Sequence, residues 1–139
     1  MKVLALDVGE KRIGIALSDS LGMTAQGHSV LERQNKSRDF HHILDLCQQN
    51  EVSRIVVGLP LNMNGTVGPK ALEIQGFAAE LGAFTGLEIV FWDERLSTVS
   101  AERTLLEADV SRKKRKGLRD KLAAVYILQT YLDRESRSI

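Results

Sequence analysis

Val3-Leu4-Ala5-Leu6 is an unbroken apolar run of strand length that ends on a carboxylate, Asp7. Gly9 follows within two residues and a second apolar run, Ile13 to Leu17, begins soon after, so this stretch predicts a hairpin. Ser18 to Gln26 is polar and contains glycine, the composition of a connection. His28 to Leu31 predicts a short third strand, and three short strands joined by turns predict an antiparallel meander. From Ser37 to Asn50 the period changes: Phe40, Ile43, Leu44 and Cys47 recur at i, i+3, i+4 and i+7, one face of a helix, with Ser37 as its N-cap and Asn50 as its stop. Arg54 to Gly58 is short and β-branched, as in a central strand buried on both faces. A loop of turn formers, Leu61 to Thr66, leads to Pro69, which suits the first turn of a helix buried through Ile74, Phe77, Ala78 and Leu81. Leu87 to Trp92 returns to a strand and ends in Asp93-Glu94-Arg95. Ser97 or Thr98 caps a further helix through about Ala108. A last helix is predicted from about Leu118 to Leu132, apolar around most of its circumference, with Asp120, Ala123, Ala124, Ile127 and Tyr131 in one stripe.

The element order β, β, β, α, β, α, β, α, α with right-handed crossovers allows an α/β fold with a five-stranded mixed sheet in the order 3-2-1-4-5. Nothing in the pattern marks a linker or repeat, so residues 1–139 are expected to form one domain. The C-terminal ends of strands 1, 4 and 5 then share one edge, where ligands bind in open α/β sheets. Asp7 and Glu94 start roughly 10 Å apart at the backbone, with strand 4 between them. Gly58, lacking a side chain, leaves that gap open, and a Glu is long enough to reach into it. Asp120 lies at the N-terminal end of its helix, in line with the buried stripe. Each acid also has a local explanation: Asp7 as a turn cap, Asp120 as a partner of the helix dipole. If they converge, three carboxylates without His or Cys suit Mg²⁺ or Mn²⁺, and two such ions support in-line displacement at a phosphodiester.

Composition narrows the choice. The chain is 43% apolar and 27% charged, with a net charge of +1, so it is no polycation. The charge is uneven: Ser111 to Lys121 holds Arg112, Lys113, Lys114, Arg115, Lys116, Arg119 and Lys121 against a single acid, Asp120. Such a loop beside one of the acids is an electrostatic footprint for nucleic acid. Cys47 is the lone cysteine, which excludes an internal disulfide and any cysteine-based metal cluster. His28 stands apart from other ligands, and His41 and His42 are adjacent on a helix and point in different directions. No apolar run reaches the ~20 residues of a membrane span, and no signal peptide precedes Val3, so the expected location is the cytoplasm.

Four motifs occur in order: Asp7-Val8-Gly9 with Lys11-Arg12-Ile13-Gly14, Val57-Gly58-Leu59-Pro60-Leu61-Asn62-Met63-Asn64-Gly65, Asp93-Glu94-Arg95-Leu96-Ser97-Thr98, and Asp120-Lys121-Leu122-Ala123-Ala124. Together they resemble the YqgF (RuvX) family over nearly the whole chain. The resemblance implies a minimal ribonuclease H-like domain related to the Holliday junction resolvases, and a nuclease role in maturing the 5′ end of pre-16S ribosomal RNA. It implies Asp7, Glu94 and Asp120 as the catalytic, metal-binding acids, and substrate contacts from the Gly58 to Gly65 loop (Gly58, Pro60, Asn62, Asn64 and Gly65) and from Arg95 and Thr98. Gly9, Lys11 and Arg12 of the first motif and the run Arg112, Lys113, Lys114, Arg115 and Lys116 complete the candidate substrate-binding set. Expected partners are nucleic acid, pre-ribosomal RNA ahead of branched DNA, and the ribosome, for a monomer or homodimer. Relatives usually carry a small residue where this chain has Lys121, and strand 4 ends in Gly58 where the distantly related resolvases have an acid. The rival readings are a resolvase acting on branched DNA, a non-catalytic RNA-binding ribosome maturation factor, and a nucleotide-binding module of the actin-like ATPase type, which would need a second lobe.

Overall fold

The computed structural model describes residues 2–96 and 112–137, with the side chains of 112–119 and 137 left aside. Its elements are β1 (Lys2–Val8), β2 (Arg12–Ser18), β3 (Ala25–Glu32), α1 (Lys36–Gln49), β4 (Val52–Leu59), α2 (Pro69–Thr85), β5 (Glu88–Asp93), a short 3-10 turn (Glu94–Leu96) and α3 (Arg112–Arg137). The helix predicted through about Ala108, and Thr98 with it, lies outside the described residues. The sheet runs β3-β2-β1-β4-β5, the predicted order, with β1, β2 and β3 antiparallel and β4 parallel to both β1 and β5.

The two faces of the sheet are coated differently. Leu4, Leu6 and Val8 of β1, Ile13 and Ile15 of β2, and Ile55, Val57 and Leu59 of β4 face α1 and α2, where Phe40, Ile43, Ile74, Phe77 and Leu81 meet them. Burying each such side chain contributes about 1.5–3 kcal/mol relative to leaving it exposed. The alternate residues Ala5, Ala16, Val56 and Trp92 face α3 and pack against Ala124, Ile127, Leu128 and Tyr131. Period-two alternation thus assigns the odd positions of β1, Asp7 included, to the α3 side. Small residues there let the helix come close.

Three boundaries differ from expectation. The α1 cap is Asn35, whose side chain accepts from the Arg38 N–H, two residues before the predicted Ser37. The third strand begins at Ala25, because pairing with β2 as far as Ser18↔Ala25 holds polar residues that carry no apolar signal. Helix α3 starts at Arg112 instead of near Leu118, so the basic run is not a loop but its opening turns. Arg and Lys are good helix formers, and Gly117 costs only about 1 kcal/mol in such a position. Asp120 therefore lies two turns inside the helix, beyond the first turn over which the dipole acts, which removes its simplest local explanation. The helix is buried along one stripe, Ala123, Ala124, Ile127, Leu128, Tyr131 and Leu132, and is only half-buried on its flanks.

Candidate active site

Asp7 sits at the last-but-one position of β1, half-buried, and its neighbours on both sides are glycines. Across the antiparallel ladder it pairs with Gly14 of β2. On the parallel side, pairing of Leu6 with Val57 puts it level with Gly58 of β4. Both glycines face α3, and each is filled by another candidate acid. A side chain at Gly58 would begin 3.2 Å from both Cγ and Oε1 of Glu94, and 2.6 Å from Cδ1 of Ile127. One at Gly14 would begin 2.6 Å from the carbonyl carbon of Asp120 and 3.3 Å from the Lys121 nitrogen. Neighbouring strands lie about 4.8 Å apart, so the Glu94 carboxylate rests one strand spacing from the Asp7 backbone, on the same face. The main chain of Asp120 lies over the opposite flank.

The gap at Gly58 thus admits Glu94 as the spacing in sequence suggested. Among the described residues, no three His, Cys, Asp or Glu side chains form a group able to hold a metal ion by themselves. Glu94 thus lies over the strand next to Asp7 on one face of the sheet, and the helix brings the third acid, Asp120, to the strand on the other side.

Asp93 and Glu94 part company at the end of β5. Asp93 pairs with Leu59, which belongs to the α1–α2 core, so Asp93 turns away from Asp7. It accepts from Arg95 at the main-chain N (2.9 Å), at Nε (3.0 Å) and at Nη2 (2.7 Å). Hydrogen bonding to Arg95 holds the Asp93 carboxyl below its ordinary range and raises the guanidinium. Arg95, expected on the substrate, is thus committed to Asp93 and, through Nη1, to the Met63 carbonyl (3.2 Å). The loop it touches is bonded to itself. Asn62 Nδ2 donates to Thr66 Oγ1 (2.9 Å), and Asn64 Oδ1 accepts from both the N–H and the hydroxyl of Thr66 (3.1 and 2.6 Å). Asn62 and Asn64 therefore shape the loop before they contact anything else, while Pro60 is half-buried at its entrance.

The first turn is also braced. Gly9 N donates to Arg12 O (2.8 Å), Arg12 pairs with Glu32 across the ladder (3.4 Å), and Lys11 is exposed. Arg33 was not singled out in the sequence, yet its Nη1 donates to the Gly9 carbonyl (2.6 Å) and its guanidinium lies 5.1 Å over the Phe77 ring. An Arg just past a strand end, beside a glycine turn, carries no distinguishing pattern. Lys121 lays its stem along β3, with Cγ 2.8 Å from where a Gly27 side chain would begin. A long residue next to Asp120 is accommodated because β3 offers a glycine there. The basic residues Arg112 to Lys116 lie on the first turns of α3, the helix that carries Asp120.

The sequence profile of the RuvX family, described as Holliday junction resolvase, matches residues 1–134. A protein of Syntrophomonas wolfei named "Putative pre-16S rRNA nuclease" is 61% identical over 133 residues, covering 96% of this chain and 94% of its own. One of Halalkalibacterium halodurans with the same name is 56% identical, covering 97% and 98%. Among solved structures, Thermus thermophilus RuvC in complex with a Holliday junction substrate superposes with a TM-score of 0.58 at 14% identity, covering 97% and 96%. The fowlpox virus Holliday junction resolvase gives 0.57 at 14%, covering 96% and 99%. These two share the ribonuclease H-like fold with this chain. With the profile matching nearly end to end and relatives above 50% identity, the chain belongs to the RuvX (YqgF) family.

Proposed function

We propose that this protein is a nuclease that hydrolyses phosphodiester bonds in precursor 16S ribosomal RNA, with Asp7, Glu94 and Asp120 as its catalytic carboxylates. The observation that carries this reading is the seat of the Glu94 carboxylate over Gly58, level with Asp7 on the α3 side of the sheet. Mg²⁺ is usually held by one or two carboxylates and completes its shell with water and substrate phosphate. Two carboxylates on one face of the sheet with a third acid nearby fit Mg²⁺ or Mn²⁺ without a closed protein cage. Asp7 and Glu94 would hold such ions, two in number, with Asp120 on the second flank. When bound, the ions supply an activated water and neutralise the leaving oxygen. The protein's share is placement: the ladder fixes Asp7, and α3 brings Asp120 to the strand that flanks it.

Substrate contacts fall to the first turn (Gly9, Lys11 and Arg12), to the Gly58–Gly65 loop, to the cations Arg112 to Lys116 on the phosphates, and to Thr98. The high identity to curated relatives favours ribosomal precursor RNA, and the ribosome in the cytoplasm, over branched DNA. The test is Mg²⁺-dependent cleavage of purified precursor 16S RNA and of a four-way DNA junction by wild type, Asp7→Asn and Glu94→Gln. The expected result is cleavage of the RNA by wild type and loss of turnover in both variants, with RNA binding retained. Undiminished turnover in either variant refutes the assignment. Growth rescue by Asp7→Asn in cells lacking the protein would instead favour a non-catalytic RNA-binding factor.

A further inference from the structure

Glu94 is carried on a 3-10 turn, whose hydrogen bonds are poorer than those of an α-helix, so its aim depends on what fastens the turn from outside. The residues on either side of it provide that fastening. Asp93 receives the Arg95 main-chain N–H and two guanidinium nitrogens, and the same guanidinium reaches Met63 O, 32 residues earlier in the chain. Arg95 Nη1 also lies 3.5 Å from where a side chain at Gly65 would begin, and Gly65 has φ +85°, a conformation favouring glycine. One guanidinium thereby ties the Asn62–Thr66 turn to the end of β5, while Glu94 stands between the two members of the ion pair.

We infer that Asp93 and Arg95 are positioning residues: their pair straps the Asn62–Thr66 loop to the 3-10 turn and keeps the Glu94 carboxylate over Gly58. This rests on the role proposed above for Glu94. Arg95 spends three of its five N–H donors within the protein, which suits a strap better than a phosphate ligand. The Asp93–Arg95 pair is partly exposed, so its worth lies in the position it imposes and little in global stability.

The variants are Asp93→Asn and Arg95→Gln, each checked by thermal melting for retention of fold. In metal-free protein, amide hydrogen exchange is expected to quicken about tenfold in residues 62–66 and 94–96 together. Mn²⁺ affinity by calorimetry is expected to fall about tenfold, as for other groups that orient metal ligands. The salt dependence of RNA binding stays as in wild type, because no phosphate contact is removed, while KM rises equally in both variants as the loosened loop loses its hold on the RNA. Unchanged exchange in either variant overturns the strap. So does an Arg95→Gln protein that alone raises KM and lowers the salt slope by about one, the mark of a phosphate contact. If wild type neither binds Mn²⁺ nor cleaves RNA, the active-site reading fails, and the exchange measurement still decides whether the strap exists.

Discussion

Gly14→Ala is the sharpest probe of how α3 meets the sheet. By strand preference alone the change should help, since Gly in a strand interior costs about 0.5–1 kcal/mol relative to Ala. The structure predicts the opposite. The new methyl would begin 2.6 Å from the Asp120 carbonyl carbon and 3.3 Å from the Lys121 nitrogen, main-chain atoms that cannot rotate aside. Ordinary contact distances require α3 to lift by roughly 1 Å, loosening a face that includes Ala123, Ala124, Ile127 and Leu128, all fully buried. Overpacking against side chains costs about 1–3 kcal/mol, and rigid main chain belongs at the upper end. The net expectation is a loss of about 2–3 kcal/mol, or roughly 6–10 °C in melting temperature for a chain of this size. Differential scanning calorimetry of wild type and Gly14→Ala measures it. A variant that melts within 1–2 °C of wild type, or above it, would refute the close seating of Asp120 on β2, and with it the placement of the third acid.

Gly58→Ala should separate stability from chemistry. Its methyl meets the movable end of Ile127 and the Glu94 side chain, so melting is expected to shift by no more than about 1–2 kcal/mol while cleavage falls at least tenfold, read from single-turnover rates. Full activity would show that Glu94 need not rest there. Cys47 is buried, and burial pushes its thiol up from 9.0 to about 11. Because the folded-state value is raised, the stability it reflects is complete below about pH 9 and erodes as pH climbs toward 11. At pH 8 labelling by a thiol reagent should therefore follow unfolding, and rapid labelling of the native protein would contradict its place in the core.

The strand order was legible because hydrophobic runs, turn residues and the handedness of crossovers leave few alternatives once three short strands precede a β-α-β-α-β pattern. The predicted faces of α1 and α2 hold at Phe40, Ile43, Cys47, Ile74, Phe77, Ala78 and Leu81, since a 3.6-residue period is a property of local sequence, whereas Leu44, predicted on the same face, is only half-buried. The ends of elements were less legible. Asn35 and Ser37 are both good caps, and the choice between them was settled by which backbone N–H came within reach, that of Arg38. Nothing in the basic run says whether it is a loop or the opening of a helix, because the same residues suit both.

The site divides along the same line. Sequence alone located Asp7 at a strand end, Gly58 as an opening and Glu94 as the acid long enough to enter it, because strand alternation and side-chain length are local facts. Only the tertiary structure decided that Asp93 turns to the other face and engages Arg95, that Asn62 and Asn64 are bound up in their own loop, that Arg33 braces the first turn, and that Gly14 and Gly27 are the seats of Asp120 and Lys121. The contacts of Arg33, Gly14 and Gly27 join segments far apart in the chain. The bonds of Asp93, Asn62 and Asn64, though local, are choices among several nearby partners. Both depend on which atoms the packed sheet and helices bring within about 3 Å of one another.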